Sequence, residues 1–314
     1  MLIAMQGIYD PLLRERLSQH PRGLEIGTFA EVKSERRLAQ IEILVTRSNL
    51  TLNADLIDRL PALRLVVKAG SGTDNIDVDR LAARNVRVIA TGGSERSVAE
   101  LAIGLCLACL RHIPLHDRAL RAGSWGSKSA FVGRLLQGQR LGIIGFGRIG
   151  RETAALAHRL GMTVMAFDRS PDRPEKQQAA EQLGAMLWSD LALMTTHCDI
   201  VSLHLPLVPG APPIVSKEVL EAMPAHGVLI NTSRAAHVDR AALFAALRAG
   251  RIAGAGLDVQ YDEGGSGDID LISLENVVSL PHVGAQTTET LRAIAERVVS
   301  IITEYLAEQV EVET

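Results

Sequence analysis

The run Leu141 to Gly150, LGIIGFGRIG, restricts the possible fold more than any other stretch of the chain. Leu141, Ile143 and Ile144 lead into Gly145-Phe146-Gly147-Arg148-Ile149-Gly150, a G-x-G-x-x-G pattern, and Arg151 to Leu160 follows with helical spacing. Strand, glycine turn and helix in that order are the context in which this pattern binds a dinucleotide. Each glycine has a separate task. Gly145 permits the tight turn, Gly147 lets the backbone approach a pyrophosphate, and Gly150 lets the helix pack close to the strand. The N–H groups opening the 151–160 helix then face the phosphates. The next strand, Thr163 to Phe167, ends in Asp168, 18 residues after Gly150. An acid about 20 residues on suits a ribose 2′-hydroxyl. The competing interpretation is a glycine turn used only for packing, with Asp168 as a helix cap.

The 314 residues suffice for two domains, and 47% hydrophobic with 22% charged residues is a globular composition. Aromatics make up only 3%, so Leu, Val, Ile and Ala must fill the cores. A net charge of −3 gives no electrostatic case for a nucleic-acid partner. Cys106, Cys109 and Cys198 do not make a disulfide framework. The C-x-x-C of Cys106 and Cys109 lies inside the apolar run Leu101 to Leu110 with no second ligand pair, and so predicts two core residues rather than a metal site. The N-terminal MLIAMQGIYD lacks the positive region and long apolar core of a signal peptide. No apolar run reaches membrane-spanning length. These features predict a cytoplasmic protein without a membrane partner.

Taken in order, residues 2–8, Glu42 to Val45, Leu63 to Val67 and Val86 to Ala90 read as strands, with helices over Leu12 to Leu17, Asn53 to Leu60 and Val78 to Arg84. Strands alternating with helices imply a parallel sheet. Arg47 and Ser48 follow the second strand. The loop Lys68-Ala69-Gly70-Ser71-Gly72-Thr73-Asp74-Asn75 follows the third, at the end of the sheet where open α/β folds place ligands. A long helix is predicted from about 97 to 122, apolar in its first half, as in an element buried between domains. A connector over 123–139 feeds the glycine turn. The alternation resumes with strands Ala185 to Leu187, Ile200 to Leu205 (carrying His204, with Pro206 just beyond), Gly227 to Ile230, Gly254 to Val259 and Val277 to Leu280. Helices are predicted over Ser189 to Thr195, Val219 to Met223, Arg240 to Ala249 and Thr287 to Ala307. Asp262 to Asp270, rich in Gly, Asp and Ser, is expected to be the least ordered stretch.

Arg234, Glu263 and His282 stand just past strand ends in the second half. Singly, each could be an ordinary surface or loop residue. Together they match the needs of hydride transfer from an alcohol: a histidine base for the hydroxyl proton, a carboxylate that orients the imidazole and favours its charged form, and a guanidinium fork for a substrate carboxylate.

The segments LGIIGFGRIGRE, CDIVSLHLP, INTSRAAHVDRAAL, AGLDV and LPHVG occur in this order, with KAGSGTDNID and SVAE in the first half. Together they resemble the NAD-dependent D-2-hydroxyacid dehydrogenase family, which includes 3-phosphoglycerate, glycerate and D-lactate dehydrogenases. The resemblance implies an α/β protein of two Rossmann-like, doubly wound, parallel-sheet domains with a cleft between them. The NAD-binding domain (98–285) would be inserted in a substrate domain made from 1–97 and 286–314. It implies that Arg234 binds the substrate carboxylate and polarises the carbonyl, and that His282 is the acid in reduction and the base in oxidation. Glu263 would pair with His282, with Asp262 as the alternative partner. Gly145, Gly147, Arg148, Ile149 and Gly150 would hold the pyrophosphate, and Asp168 the adenosine ribose. His204, Pro206, Thr232, Ser233, Arg234, Asp258 and the 282–285 segment with His282, Gly284 and Ala285 would line the rest of the cofactor. Ser71 and Gly72 would offer backbone N–H groups to the substrate carboxylate. The family is typically dimeric, so a homodimer is implied.

The chain departs from the family text in places. Ala235 and Ala236 replace paired glycines, Gln260 stands where an aromatic is frequent, and Gly264 opens a loop without the usual proline. The resemblance implies a dehydrogenase or reductase of a D-2-hydroxy acid or its 2-keto acid, with 3-phosphoglycerate as one candidate substrate and glyoxylate or hydroxypyruvate reduction as the rival. Asp168 would favour NAD over NADP by repelling a 2′-phosphate, an effect that Arg169 could soften. Arg47 or Lys68 could receive a substrate phosphate, or could be solvated loop cations. A dinucleotide-sensing binding protein or corepressor is the alternative of another class, and the intact Arg234, Glu263 and His282 speak against it.

Overall fold

The computed structural model describes residues 1–32, 34–125, 131–263 and 267–313. It divides into two compact units, Met1–Ser94 with Ala285–Thr314, and Glu95–Gly284. Gly126 and Ser127 of the expected connector, and Gly264 to Ser266 of the loop expected to be least ordered, lie outside the described residues.

The first unit holds a parallel sheet of five strands, β1 Leu2–Gln6, β2 Glu25–Thr28, β3 Ile41–Thr46, β4 Leu65–Lys68 and β5 Arg87–Ala90, in the order β2-β1-β3-β4-β5. Successive strand residues point to opposite faces. Ile3, Met5, Ile43, Val45, Leu65 and Val67 meet Leu13 and Leu17 of the Pro11–Ser18 helix, together with Ile294, Val298, Ile301, Ile302 and Tyr305 of the Thr288–Glu313 helix. Leu2, Ala4, Leu44 and Val66 turn the other way, onto Leu38, Ile57, Leu60 and Leu81. Burial of both faces explains why these strands read as continuous apolar runs. Strand β2 was not expected from the sequence. It is a four-residue edge strand containing Gly27 and only one fully buried position, so it lacks a hydrophobic run.

The second unit holds seven parallel strands, β6 Arg140–Ile144, β7 Thr163–Phe167, β8 Ala185–Trp188, β9 Ile200–Leu203, β10 Val228–Asn231, β11 Gly254–Leu257 and β12 Val277–Ser279, in the order β12-β11-β10-β9-β6-β7-β8. The direction of winding reverses between β6 and β9, and such a switch point opens a crevice at the carboxyl ends of the strands. The Glu95–Leu110 and Arg148–Arg159 helices cover one face. The Lys217–Ala222 and Arg240–Arg248 helices pack on the other. Cys106 and Cys109 belong to the covered face, and burial pushes both thiols up, Cys109 to about 12.

The helix expected as one piece over 97–122 is two, Glu95–Leu110 and Ile113–Arg121, bent by 59°. Pro114 has no N–H for the Leu110 carbonyl. The Arg134 N–H donates to that oxygen instead, at 3.0 Å, and His112 takes the left-handed conformation, φ 50°, at the break. Among the described residues no single helix is long and apolar enough to cross a membrane.

At the amino ends of β6 and β9, Asp199 accepts from Arg140 N (2.8 Å), Nε (3.0 Å) and Nη2 (2.8 Å), and lies 2.8 Å from His226 Nε2. Burial alone would raise the Asp199 pKa. The hydrogen bonds from Arg140 and His226 outweigh it and hold the carboxyl well below the usual carboxylate range. A carboxyl whose pKa is depressed by folding stabilises above its unfolded value and loses that contribution as pH falls through the folded one. Asp199→Asn should therefore cost about 2 kcal/mol at neutral pH. The penalty should shrink progressively below a pH of about 4, the ordinary carboxylate range. Urea denaturation of both proteins across that range measures it.

Candidate active site

The carboxyl edge of the seven-stranded sheet gathers the polar residues that the sequence singles out. The turn after β6 lies at the switch point. Gly145 has φ 98°, and a Cβ there would sit 2.6 Å from the His204 carbonyl oxygen, so only glycine fits beside β9. A Cβ at Gly150 would collide with the Gly145 carbonyl oxygen, whereas one at Gly147 would meet no atom within 4 Å. Close approach at the first and third glycines and open space at the second are the arrangement a pyrophosphate needs. The helix begins at Arg148, three residues earlier than the apolar spacing suggests, with Gly147 as an N-cap that offers no side-chain bond. Its first N–H groups therefore remain available to an anion. The Arg148 side chain is largely exposed and lies 3.3 Å from Glu95.

Asp168 follows β7, next to the turn. It accepts from Phe146 N (3.3 Å), from Ser170 N (2.9 Å) and from Lys176 Nζ. Burial works to raise its pKa, but the Lys176 and backbone hydrogen bonds prevail and lower it.

His204 follows β9 and is buried. Its Nε2 lies 2.9 Å from the hydroxyl of Ser202, also buried. Burial lowers the His204 pKa to about 3, which keeps the ring neutral. His204 Nδ1 and Thr232 Oγ1, after β10, are both buried without a hydrogen-bond partner among the described residues. Unpartnered buried polar atoms are costly. Here they stand on the same strand edge as the glycine turn and match a ligand rich in hydroxyl, amide and phosphate groups, so the residues present fit a dinucleotide. Pro206 is exposed just beyond, and its carbonyl lies 3.3 Å from His237 Nε2.

Arg234 follows β10 on a loop fastened by Asn231, a residue that the sequence reading passed over. Asn231 Oδ1 accepts from Ser233 N (3.0 Å) and Oγ (2.9 Å), and Asn231 Nδ2 donates to Arg234 O (2.8 Å). Ser233 Oγ also lies 2.9 Å from His237 Nδ1. Arg234 Nη1 donates to Ser233 O (2.7 Å), and its side chain is half-buried.

His282 follows β12, the strand beyond β11. Its φ of 56° is left-handed, a strained conformation that marks functional loops in other proteins. Asp258, after β11, holds the loop. Its two oxygens accept from Val283 N and Gly284 N, each at 2.8 Å. Burial, offset only in part by these bonds, raises the Asp258 pKa. Gly284 leaves room for this seat, since a Cβ there would press on Asp258 Oδ2 at 3.0 Å. Gln260 replaces the frequent aromatic by donating to Ser279 Oγ (2.7 Å) and Leu280 O (3.2 Å), which ties β11 to the residues before His282. His282 Nδ1 lies 2.8 Å from Glu263 Oε1. Asp262 accepts from Gly267 N instead (2.9 Å). Ala285 is half-buried and opens the segment that returns to the first unit.

In the first unit, Arg47 follows β3 and lies over Gly7, its Nη1 donating to Ile8 O (3.0 Å). Burial lowers its pKa. No carboxylate pairs with it among the described residues. Ser71 is exposed and Gly72 half-exposed after the neighbouring β4. Lys68 is not the solvated loop cation it could have been. It is the last residue of β4, 3% exposed, with Nζ donating to Asn75 Oδ1 (2.8 Å). The backbone register places it inside the sheet, and a lysine so placed needs a fixed acceptor.

The geometry is that of a nucleotide-dependent oxidoreductase. Residues 103–284 match the family model of the D-isomer specific 2-hydroxyacid dehydrogenase NAD binding domain. The chain is 36% identical over 302 residues to hydroxypyruvate reductase of Thermotoga maritima, covering 94% of this chain and 96% of that protein. It is 34% identical over 311 residues to D-3-phosphoglycerate dehydrogenase of Methanocaldococcus jannaschii, covering 96% of this chain and 58% of that protein. Among solved structures, the NADPH-dependent glyoxylate/hydroxypyruvate reductase of Sinorhizobium meliloti, crystallised with NADP and malonate, superposes with a TM-score of 0.82 at 32% identity, covering 97% of this chain and 93% of that one. The chain belongs to the D-isomer specific 2-hydroxyacid dehydrogenase family. It is an oxidoreductase that moves a hydride between NAD(H) and a 2-hydroxy or 2-keto acid.

The glycines give a paired expectation. Gly150→Ala forces backbone off backbone and should destabilise by about 1–3 kcal/mol. Gly147→Ala has an ordinary φ of −83° and open space, so its melting temperature should stay near that of the parent while NADH binding weakens. Thermal unfolding with a fluorescence titration separates the two effects.

Proposed function

We propose that the enzyme reduces a small, unphosphorylated 2-keto acid of the hydroxypyruvate or glyoxylate type, with Arg234, Glu263 and His282 as its chemical groups. The observation that carries this reading is the 2.8 Å His282–Glu263 pair, set on the same strand edge as the glycine turn. Gly147, the N–H groups of Arg148 and Ile149, Asp168, His204 and Thr232 would hold the nucleotide. Bound NADH supplies the hydride for the carbonyl carbon. His282, with Nδ1 engaged by Glu263, presents Nε2 to give its proton to the carbonyl oxygen, and Glu263 steadies the imidazolium before transfer. Arg234 clamps the substrate carboxylate and draws charge from the carbonyl. Met1–Ser94 with Ala285–Thr314 would be the substrate domain, with Arg47 and the N–H groups of Ser71 and Gly72 as its polar contacts.

Two observations favour the unphosphorylated substrate. Lys68 is committed to Asn75 and withdrawn from phosphate recognition, which leaves Arg47 as the available cation of the pair. Relatives of the chain include a hydroxypyruvate reductase at 36% identity and a glyoxylate reductase at 35%. The rival substrate, 3-phosphoglycerate, rests on Arg47. We place the protein in the cytoplasm, where its three unpaired thiols would stay reduced. We also propose a homodimer, supported by the exposed apolar side chains of Ile113, Leu120, Trp125, Val132 and Leu135 within one segment of the second unit.

A panel of 2-keto acids assayed with NADH should give the highest kcat/KM for hydroxypyruvate or glyoxylate. Oxidation of 3-phosphoglycerate at a higher kcat/KM would reverse the order. His282→Ala should lower kcat by roughly a hundredfold or more, the contribution of general acid–base catalysis, while NADH still binds. Turnover near the parent rate would mean that another group moves the proton. Light scattering should report two chains per particle, and Val132→Glu should shift the protein toward monomer without lowering its melting temperature at high dilution.

A further inference from the structure

Asp168 does not meet the ribose site as a lone carboxylate. Lys176, in the first turn of the Pro174–Gln182 helix, ion-pairs with Asp168 Oδ1, and the two side chains are only 17% and 13% exposed. Oδ1 also takes the Ser170 N–H at 2.9 Å, so it is saturated. Among the described residues, Oδ2 has only the long 3.3 Å contact from Phe146 N and keeps an open acceptor position beside the fingerprint turn. The ammonium group carries three donors, and Asp168 is its only hydrogen-bond partner among the described residues.

An unpaired acid at the end of this strand selects for NAD in two ways. It accepts from the ribose 2′-hydroxyl, and its charge repels a 2′-phosphate. Lys176 leaves the first effect and removes most of the second. An ammonium in contact with the carboxylate acts on an incoming phosphate at a comparable distance and with opposite sign, so repulsion and attraction largely cancel. The remaining Lys176 N–H groups can also donate to phosphate oxygens, a charge-assisted contact. Arg169, the cation that the sequence suggested for this part, is exposed and screened by solvent.

We propose that Lys176 is a cofactor-specificity residue, which lets the ribose site accept a 2′-phosphorylated dinucleotide, NADPH, alongside NADH. The proposal rests on the cofactor placement given above, with Asp168 at the adenosine ribose.

The test is binding without substrate. NADH and NADPH are titrated by nucleotide fluorescence into the parent protein, Lys176→Ala, Lys176→Arg and Arg169→Ala. The parent should bind NADPH within about tenfold of NADH, and Lys176→Ala should weaken NADPH by about tenfold or more while NADH moves about twofold at most. Lys176→Arg should keep the parent ratio, and Arg169→Ala should change it less than Lys176→Ala. Added salt should weaken NADPH more than NADH in the parent and erase that difference in Lys176→Ala. If Lys176→Ala weakens both nucleotides equally, Lys176 only supports Asp168 and the proposal is wrong; an unchanged ratio overturns it as well. A parent protein that binds neither nucleotide overturns the cofactor placement itself, an outcome distinct from both.

Discussion

Backbone packed directly on backbone at the Gly145 turn is the contact on which the second unit depends. The Gly145 carbonyl lies where a Gly150 side chain would begin, and the His204 carbonyl lies where a Gly145 side chain would begin. That double approach draws β6, β9 and the Arg148–Arg159 helix together at the switch point. Everything polar on the strand edge is then placed by strand order. Asp168 lies one strand to one side of the turn. His204, Arg234, Asp258 and His282 follow β9, β10, β11 and β12 in turn on the other.

Short strands could not hold these loops without help, and the same device recurs. A buried side chain at or just past a strand end bonds the backbone of the loop beyond it. Asn231 does this for Arg234, and Asp258 does it across strands for the loop that begins at His282. The strained backbone of His282 persists because Asp258 and Gln260 over-determine its surroundings. Such anchors fix the backbone of the loops that carry the proposed chemical groups.

The sequence showed where most side chains of the candidate site stand because each lies within a few residues of a strand end, in text with its own local signature. LGIIGFG, NTSR and PHVG announce turn, guanidinium and imidazole without reference to the rest of the chain. Relations that arise only in three dimensions stayed hidden. The Lys176–Asp168 pair joins a strand end to a helix eight residues on and resembles ordinary surface text. The break after Leu110 depends on Arg134, which reaches back to an orphaned carbonyl. Edge strand β2 draws its order from β1 rather than from apolar residues of its own. Lys68 looked like a loop residue because its last ladder partner, Thr46, cannot be inferred from the local sequence.

The order in which the elements leave the ribosome follows from the two-part first unit. One face of its sheet is covered by Ile294, Val298, Ile301, Ile302 and Tyr305 of the closing helix. Until that helix emerges, Ile3, Ile43, Val45, Leu65 and Val67 have an incomplete cover, while the contiguous Glu95–Gly284 unit already possesses all its strands. The nascent chain therefore completes its middle before its beginning. During that interval the apolar face of the first sheet is the surface most in need of a chaperone.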